Sequence, residues 1–168
     1  MKLHFDKLSK ELEKGTLLLG ADYGFEIGEG GIPVILTQID GGRLKVSFSE
    51  GNAGIEYAQP AHFFRGLGIL LEALKTKEQS DISEEIAFDT LGIMFDVSQG
   101  NAVITPKAMQ KILRRMAVMG INMLMLYMED SFVLREHPFF GYMRPKYTQA
   151  DLKEIDDYAN IFGHASNL

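Results

Sequence analysis

The first hydrophobic pattern along the chain has helical spacing. Leu8, Leu12 and the leucines at 17–19 fall close to one stripe of a helix, and Gly20 and Gly24 are available to end it. We expect an amphipathic helix from Asp6 to about Leu19.

The pattern then changes to an alternation of hydrophobic and polar residues, which is typical of strands with one buried face. The alternating positions are Val34 and Leu36, then Leu44, Val46 and Phe48, then Ile55 and Tyr57. Turn sequences rich in glycine separate them at 40–42 and 50–52. This predicts a three-stranded antiparallel meander.

Helical spacing returns after Pro60, and it predicts a second helix that lies across one face of the sheet. Its hydrophobic positions are Phe63, Phe64, Leu67, Leu70, Leu71 and Leu74. The polar segment 75–85 that follows has no hydrophobic periodicity, so we place a domain boundary near Phe88. We expect an α+β accessory domain over 1–87 and a second unit over 88–168.

The second unit opens with the hydrophobic run LGIMF, which ends at Asp96 and predicts a strand buried on both faces. Thr105 and Pro106 supply an N-cap and a first-turn proline for a helix that ends at Gly120. The run INMLMLYMED follows at once as another strand. This order of elements predicts a βαβ unit with parallel strands.

A further helix is predicted after a long loop. Thr148 and Asp151 have the spacing of a capping box, and Tyr147 is placed to pack against Leu152. The helix should end at Gly163. The final residues, GHASNL, lack the hydrophobic run of a third strand, so we expect this unit to contain about two strands.

Composition excludes several classes of function. The hydrophobic fraction is 46% and the net charge is −6, with no basic run suited to nucleic acid and no segment long enough to span a membrane. The charged N-terminus favours a cytoplasmic location. Cysteine is absent and the four histidines are far apart in sequence, so we expect neither a metal site nor a cofactor.

Candidate binding residues follow the two predicted strands. Asp96, Glu129 and Asp130 occupy these ends, although acidic residues there can also simply cap the next turn. The loop SFVLREHPFFGYMRPKYT adds aromatic rings and arginines that suit sugar rings, among them Tyr142 and Arg144. Alternatively, its phenylalanines fill a gap under the loop and Arg144 forms a local ion pair.

The motifs LGIMFDVS, LYMEDSF and HPFFGYMRPKYT resemble the first two strands of family 20 glycoside hydrolase barrels, in particular bacterial β-N-acetylglucosaminidases. Residues 1–85 also resemble the α+β domain that precedes such barrels. The resemblance implies a partial (β/α)8 TIM barrel of about two strands. It further implies substrates that end in β-linked N-acetylhexosamine. The residues expected to bind this sugar are Glu129 and Asp130, together with Asp96, Tyr142 and Arg144.

The sequence also departs from that family. Leu91-Gly92 and Ser98-Gln99-Gly100 stand where the family has arginines. The resemblance places the catalytic Asp-Glu pair on a fourth strand, and no Asp-Glu dipeptide occurs here, so we assign no catalytic residue. We expect a fragment that is inactive alone and forms a homo-oligomer that covers its exposed strand. The alternative is a non-catalytic binding or interaction module.

Overall fold

Two β-sheets and four helices make up the described part of the chain, which is residues 1–98 and 103–167 of the computed structural model. The first sheet contains β1 (Lys2–Phe5), β2 (Glu26–Ile27), β3 (Ile32–Gln38), β4 (Arg43–Ser49), β5 (Asn52–Tyr57) and β6 (Ile82–Glu85). Its helices are α1 (Lys10–Tyr23) and α2 (Pro60–Thr76). The second sheet contains β7 (Gly92–Asp96), β8 (Met123–Tyr127) and β9 (Ala165–Asn167), with helices α3 (Pro106–Met119) and α4 (Gln149–Asn160).

The first sheet is mixed, so the predicted antiparallel meander is wrong. Its strand order is β2-β1-β3-β5-β4-β6. The hairpin of β4 and β5 is antiparallel, but β3 lies on the other side of β5 and runs parallel to it, with Leu36 opposite Ile55. This arrangement leaves the outer edge of β4 free to pair with β6, where Val46 lies opposite Ile82.

Helices α1 and α2 close the first hydrophobic core. Phe63, Phe64, Leu67 and Leu70 of α2 are fully buried, which confirms the predicted inward face of this helix. A Cβ on Gly15 of α1 would lie 2.5 Å from the Phe64 ring, so glycine is what allows the two helices to approach this closely.

The polar segment 75–85, predicted as a boundary, contains β6. Arg65 of α2 donates hydrogen bonds of 3.1 Å and 2.7 Å from Nε and Nη2 to the carboxylate of Glu84 in β6. The first core also includes Ala117 and Phe162 from the second half of the chain. Packing is therefore continuous across the predicted junction.

The second sheet contains the predicted βαβ unit. Strands β7 and β8 are parallel, with Asp96 opposite Tyr127. Helix α3 begins after Thr105, whose Oγ1 accepts a hydrogen bond from Ala108 N, and it ends at Gly120 with a φ of 78°. The capping box of Thr148 and Asp151 is also confirmed at the start of α4.

The second sheet has a third strand, so the expectation of about two strands is wrong. Ala165 N donates a 2.8 Å hydrogen bond to Asn122 O, and β9 then runs parallel to β8. The sequence of β9 is short and polar, and its pairing depends on backbone hydrogen bonds rather than on a hydrophobic run.

Strand β7 is covered on one face only, in contrast to the prediction that both faces are buried. Ile93 and Phe95 pack into the second hydrophobic core beneath α3 and α4, whereas Met94 is 58% exposed. In β8, Leu124 is fully buried and Tyr127 is 48% exposed. The cause is that α3 and α4 both lie on the same side of the sheet. Coverage of the other face by a second copy stays a prediction.

Among residues 1–98 and 103–167, no helix is both long enough and apolar enough to cross a membrane.

Candidate functional site

The carboxyl ends of β7 and β8 lie together at one edge of the second sheet. Because the two strands are parallel and Asp96 is in register with Tyr127, the residues that follow each strand meet at this edge. It carries Asp96 from β7, and Glu129 and Asp130 from the turn after β8. We call this group the strand-end site.

Asp96 is held by the turn that follows it. Its Oδ1 accepts hydrogen bonds from Ser98 Oγ at 2.6 Å and from Ser98 N at 3.0 Å. The bond from the Ser98 hydroxyl, followed by the bond from its amide, lowers the pKa of the Asp96 carboxyl. Asp96 therefore caps its own turn, as the simpler interpretation of the sequence suggested, and it is ionised at neutral pH.

Glu129 is paired with Tyr127, a residue that the sequence interpretation missed. Tyr127 Oη donates a 3.1 Å hydrogen bond to Glu129 Oε1. That bond, and then the negative charge of Glu129, raises the pKa of Tyr127. The alternation of β8 could have identified Tyr127, because it places this ring on the same face as Asp96. Glu129 has a φ of 47°, a left-handed conformation that is uncommon for a residue other than glycine.

Asp130 and Arg144 form an ion pair with 3.3 Å between Oδ1 and Nη1. The same Arg144 nitrogen donates a 2.5 Å hydrogen bond to the carbonyl oxygen of Ser98. Arg144 therefore connects the ends of both strands. Asp130 Oδ1 is shielded from solvent and accepts no hydrogen bond of good geometry within the described residues, so its contact with Arg144 is ionic.

The long loop that carries Arg144 is anchored at both ends. Phe132 pairs with Tyr147, and Tyr147 is buried with its Oη donating to Ile104 O at 2.8 Å and accepting from Ile104 N at 2.9 Å. The ring of Phe140 packs against Phe132 with centroids 5.2 Å apart. The gap-filling interpretation is therefore confirmed for Phe140.

Tyr142 does not join the carboxylates. Its side chain is 68% exposed, and its ring lies 6.2 Å from that of Phe139, which is 80% exposed. The structure thus brings together Asp96, Glu129, Asp130 and Arg144, and leaves Tyr142 beside them on the loop.

No arrangement typical of a metal site occurs within the described ranges 1–98 and 103–167, where His, Cys, Asp and Glu do not form groups of three at ligand distances. At the sequence departure Leu91-Gly92, a Cβ on Gly92 would lie 2.4 Å from the terminal methyl group of Met123, which is the flexible end of that side chain. Gln99 and Gly100, the other departure, lie outside the described residues.

The fold can be compared with those of solved proteins. A Streptomyces coelicolor β-N-acetylhexosaminidase of family 20 superposes with a TM-score of 0.76 at 18% identity, over 99% of this chain and 41% of its own. A Streptomyces plicatus β-hexosaminidase, solved with the product GlcNAc, gives 0.75 at 19% identity, over 98% and 40%. This chain has the fold of the N-terminal region of these hexosaminidases.

The chain spans about two fifths of the length of these hexosaminidases. A family GH138 enzyme that targets pectin rhamnogalacturonan II also superposes over 98% of the chain, with a TM-score of 0.63 and 13% identity. No protein-family model and no curated protein matches the sequence. At these identities the likeness establishes the fold alone.

Proposed function

We propose that this chain is the N-terminal part of a glycoside hydrolase that acts on terminal β-linked N-acetylhexosamine. In this proposal residues 1–87 are the accessory domain, and 88–168 are the opening strands and helices of a (β/α)8 barrel. The hexosaminidase fold over nearly the whole chain supports it, together with the three parallel strands whose helices lie on one face.

The observation that carries the proposal is the meeting of Asp96, Glu129, Asp130 and Arg144 at the carboxyl ends of β7 and β8. Enzymes built on parallel βα units place their substrate sites at this edge. Carboxylates accept hydrogen bonds from sugar hydroxyls, and a guanidinium donates to hydroxyl or carbonyl oxygens. The edge therefore offers acceptors and a donor to the same sugar.

Within this proposal the 168 residues bind sugar but do not cleave it. The resemblance places the acid and its neighbouring carboxylate in an Asp-Glu dipeptide, which the sequence lacks. Substrate-assisted cleavage needs both groups, one to protonate the leaving oxygen and one to orient the acetamide. We therefore expect hydrolysis only from a longer protein that supplies them.

The test is the release of 4-nitrophenol from 4-nitrophenyl N-acetyl-β-D-glucosaminide. The 168-residue chain should give no release, and a protein extended through the downstream coding sequence should be active. In the active protein Asp130→Asn should lower kcat/KM about tenfold or more. Asp157→Asn, in an exposed ion pair with Lys153 on α4, is the matched control and should have little effect. Hydrolysis by the short chain would contradict the proposal.

A non-catalytic carbohydrate-binding module is the second candidate. It is favoured by the fact that the strand-end site is assembled entirely from the described residues, without the catalytic pair. Under this alternative the 168-residue chain binds N-acetylglucosamine, and the extended protein releases no 4-nitrophenol.

A further inference from the structure

Tyr147 joins the two segments that carry the strand-end site. Its hydroxyl donates a 2.8 Å hydrogen bond to Ile104 O and accepts one of 2.9 Å from Ile104 N, just before α3 begins. Its backbone N donates a 2.8 Å hydrogen bond to the carbonyl oxygen of Ser131, the residue that follows Asp130. One residue of the long loop is therefore bonded both to the segment after β7 and to the turn after β8.

Packing alone does not account for the hydroxyl of Tyr147. The residue is 1% exposed, and a phenylalanine ring would fill the same space in the second core. A buried hydroxyl costs free energy unless it is hydrogen-bonded, and this one both donates to and accepts from the backbone of a single residue. Burial also raises the pKa of Tyr147, so the hydroxyl keeps the proton that it donates to Ile104 O. The two bonds hold the ring in one place relative to the backbone at Ile104.

The turn that carries Glu129 and Asp130 depends on its neighbours for its shape. Glu129 has a φ of 47°, a strained conformation that persists only where surrounding contacts impose it. Ser131 closes this turn, because its N and Oγ donate hydrogen bonds of 2.9 Å and 2.8 Å to Met128 O. Ser131 is itself held by the backbone of Tyr147. A displacement of Tyr147 would therefore be passed on to both carboxylates.

We propose that Tyr147 is a positioning residue for sugar binding at the strand-end site. This inference rests on the proposed function. Tyr147 fixes the turn after β8 relative to the segment after β7, so that Glu129 and Asp130 face the same sugar as Asp96. Its own side chain is buried and acts on the sugar only through these residues. Binding groups have to keep their places to within about 0.5 Å, so a small displacement of the turn weakens binding.

Tyr147→Phe tests the hydroxyl, because it keeps the ring and the backbone bonds and removes both hydrogen bonds to Ile104. We expect this variant of the 168-residue chain to bind N-acetylglucosamine about tenfold more weakly than the parent. Calorimetry measures the binding, at a temperature at which urea unfolding shows each protein to be folded.

Tyr158→Phe is the matched control. Tyr158 is a partly buried tyrosine of α4, and its hydroxyl accepts a 2.6 Å hydrogen bond from Arg114 Nη1. Its replacement also removes a hydroxyl bond between two elements, but not one made by the segments that carry the strand-end site. Tyr158→Phe should therefore leave the binding of N-acetylglucosamine unchanged.

A second measurement reports on the turn without any sugar. The hydrogen bond to Glu129, and then the charge of Glu129, raises the pKa of Tyr127. If Tyr147→Phe displaces the turn, the pKa of Tyr127 should fall toward its ordinary value, and Tyr158→Phe should not change it. ¹³C NMR of labelled tyrosine rings at increasing pH follows Tyr127 in each protein.

The outcomes separate this inference from the proposed function. Unchanged sugar binding in Tyr147→Phe, or an equal loss in Tyr158→Phe, overturns the positioning role and leaves the proposed function intact. Weaker binding with an unchanged pKa of Tyr127 also overturns it, because the turn would not have moved. A parent chain that does not bind N-acetylglucosamine overturns both.

Discussion

Arg144 donates a 2.5 Å hydrogen bond to the carbonyl oxygen of Ser98, which lies 46 residues earlier in the chain. This contact joins the loop after β8 to the turn after β7, and the same nitrogen faces Asp130 at 3.3 Å. The strand-end site is therefore organised by one guanidinium that belongs to neither strand.

Replacement of this guanidinium should weaken sugar binding at the strand-end site more than it lowers the stability of the fold. Arg144→Lys keeps the charge but loses the planar donor geometry, so we expect the free energy of unfolding in urea to fall by no more than about 1 kcal/mol, because the pair is partly exposed. Binding of N-acetylglucosamine should weaken clearly. Arg135→Lys, at an exposed position of the same loop, is the control. Equal sugar binding by both variants would refute the role of Arg144.

The bond between Tyr127 and Glu129 makes a spectroscopic prediction. Glu129→Gln removes the negative charge of the group that accepts the hydrogen bond from the Tyr127 hydroxyl, so the pKa of Tyr127 should fall toward its ordinary value. ¹³C NMR of labelled tyrosine rings at increasing pH measures this for each ring. Asp96→Asn should lower the pKa by a smaller amount, and Asp130→Asn should not change it. An unchanged pKa in Glu129→Gln would show that the two side chains are not paired in solution.

His164 should make the fold sensitive to mild acid. It is buried before β9 without a hydrogen-bond partner for either ring nitrogen among the described residues, and burial lowers its pKa from 6.5 to about 4. Below pH 6.5 the unfolded state takes up the proton first, so stability falls until the pH reaches the folded pKa. The expected loss between pH 7 and pH 5 is about 2 kcal/mol.

Urea unfolding at the two pH values tests this. His164→Leu removes the titrating group and the unpaired nitrogens. Between pH 7 and pH 5, the unfolding free energy of this variant should therefore fall by less than that of the parent, and the difference should be about 2 kcal/mol. His164→Gln is the control for polarity, since it also cannot titrate and should show the same reduced dependence. If both variants keep the pH dependence of the parent, another group is responsible.

Gly68 of α2 packs closely against Val118 of α3. A Cβ there would lie 2.6 Å from Val118 O and 2.9 Å from Val118 Cβ, and both atoms are part of or next to the backbone. Gly68→Ala should lower the unfolding free energy by about 1–2 kcal/mol, because the overlap outweighs the better helix propensity of alanine. Glu72→Ala, on the exposed side of α2, should change it little. If Gly68→Ala were instead more stable than the parent, α2 and α3 would be able to move apart around the added methyl group at little cost in free energy.

Local signals in the sequence were sufficient for several elements. Thr105, Pro106 and Gly120 define α3 because capping depends on neighbouring residues alone. Asp96 and Glu129 were correctly predicted to lie at strand ends, because each comes after a dense hydrophobic run in the sequence. Both halves of the candidate site were therefore predictable as strand ends.

Pairing over longer distances was not predictable in the same way. The parallel pairing of β3 with β5 depends on which edge of the hairpin is free, and no residue of β3 encodes that choice. Strands β6 and β9 are polar and owe their conformation to neighbouring backbones. The contact between Arg144 and Ser98 depends on the path of a whole loop, so a one-dimensional pattern carries no signal for it.

The uncovered face of β7 and β8 has a redox consequence. Met94, Met123 and Met125 lie on that face, and Met94 is 58% exposed, whereas Met109 and Met116 are buried in the core below. Dilute peroxide oxidises accessible thioethers to sulfoxides. In an isolated chain the strand methionines should be oxidised well before the two helical ones, and any partner or further strand that covers the face should protect them. These three thioethers therefore act as chemical reporters of what lies against the sheet.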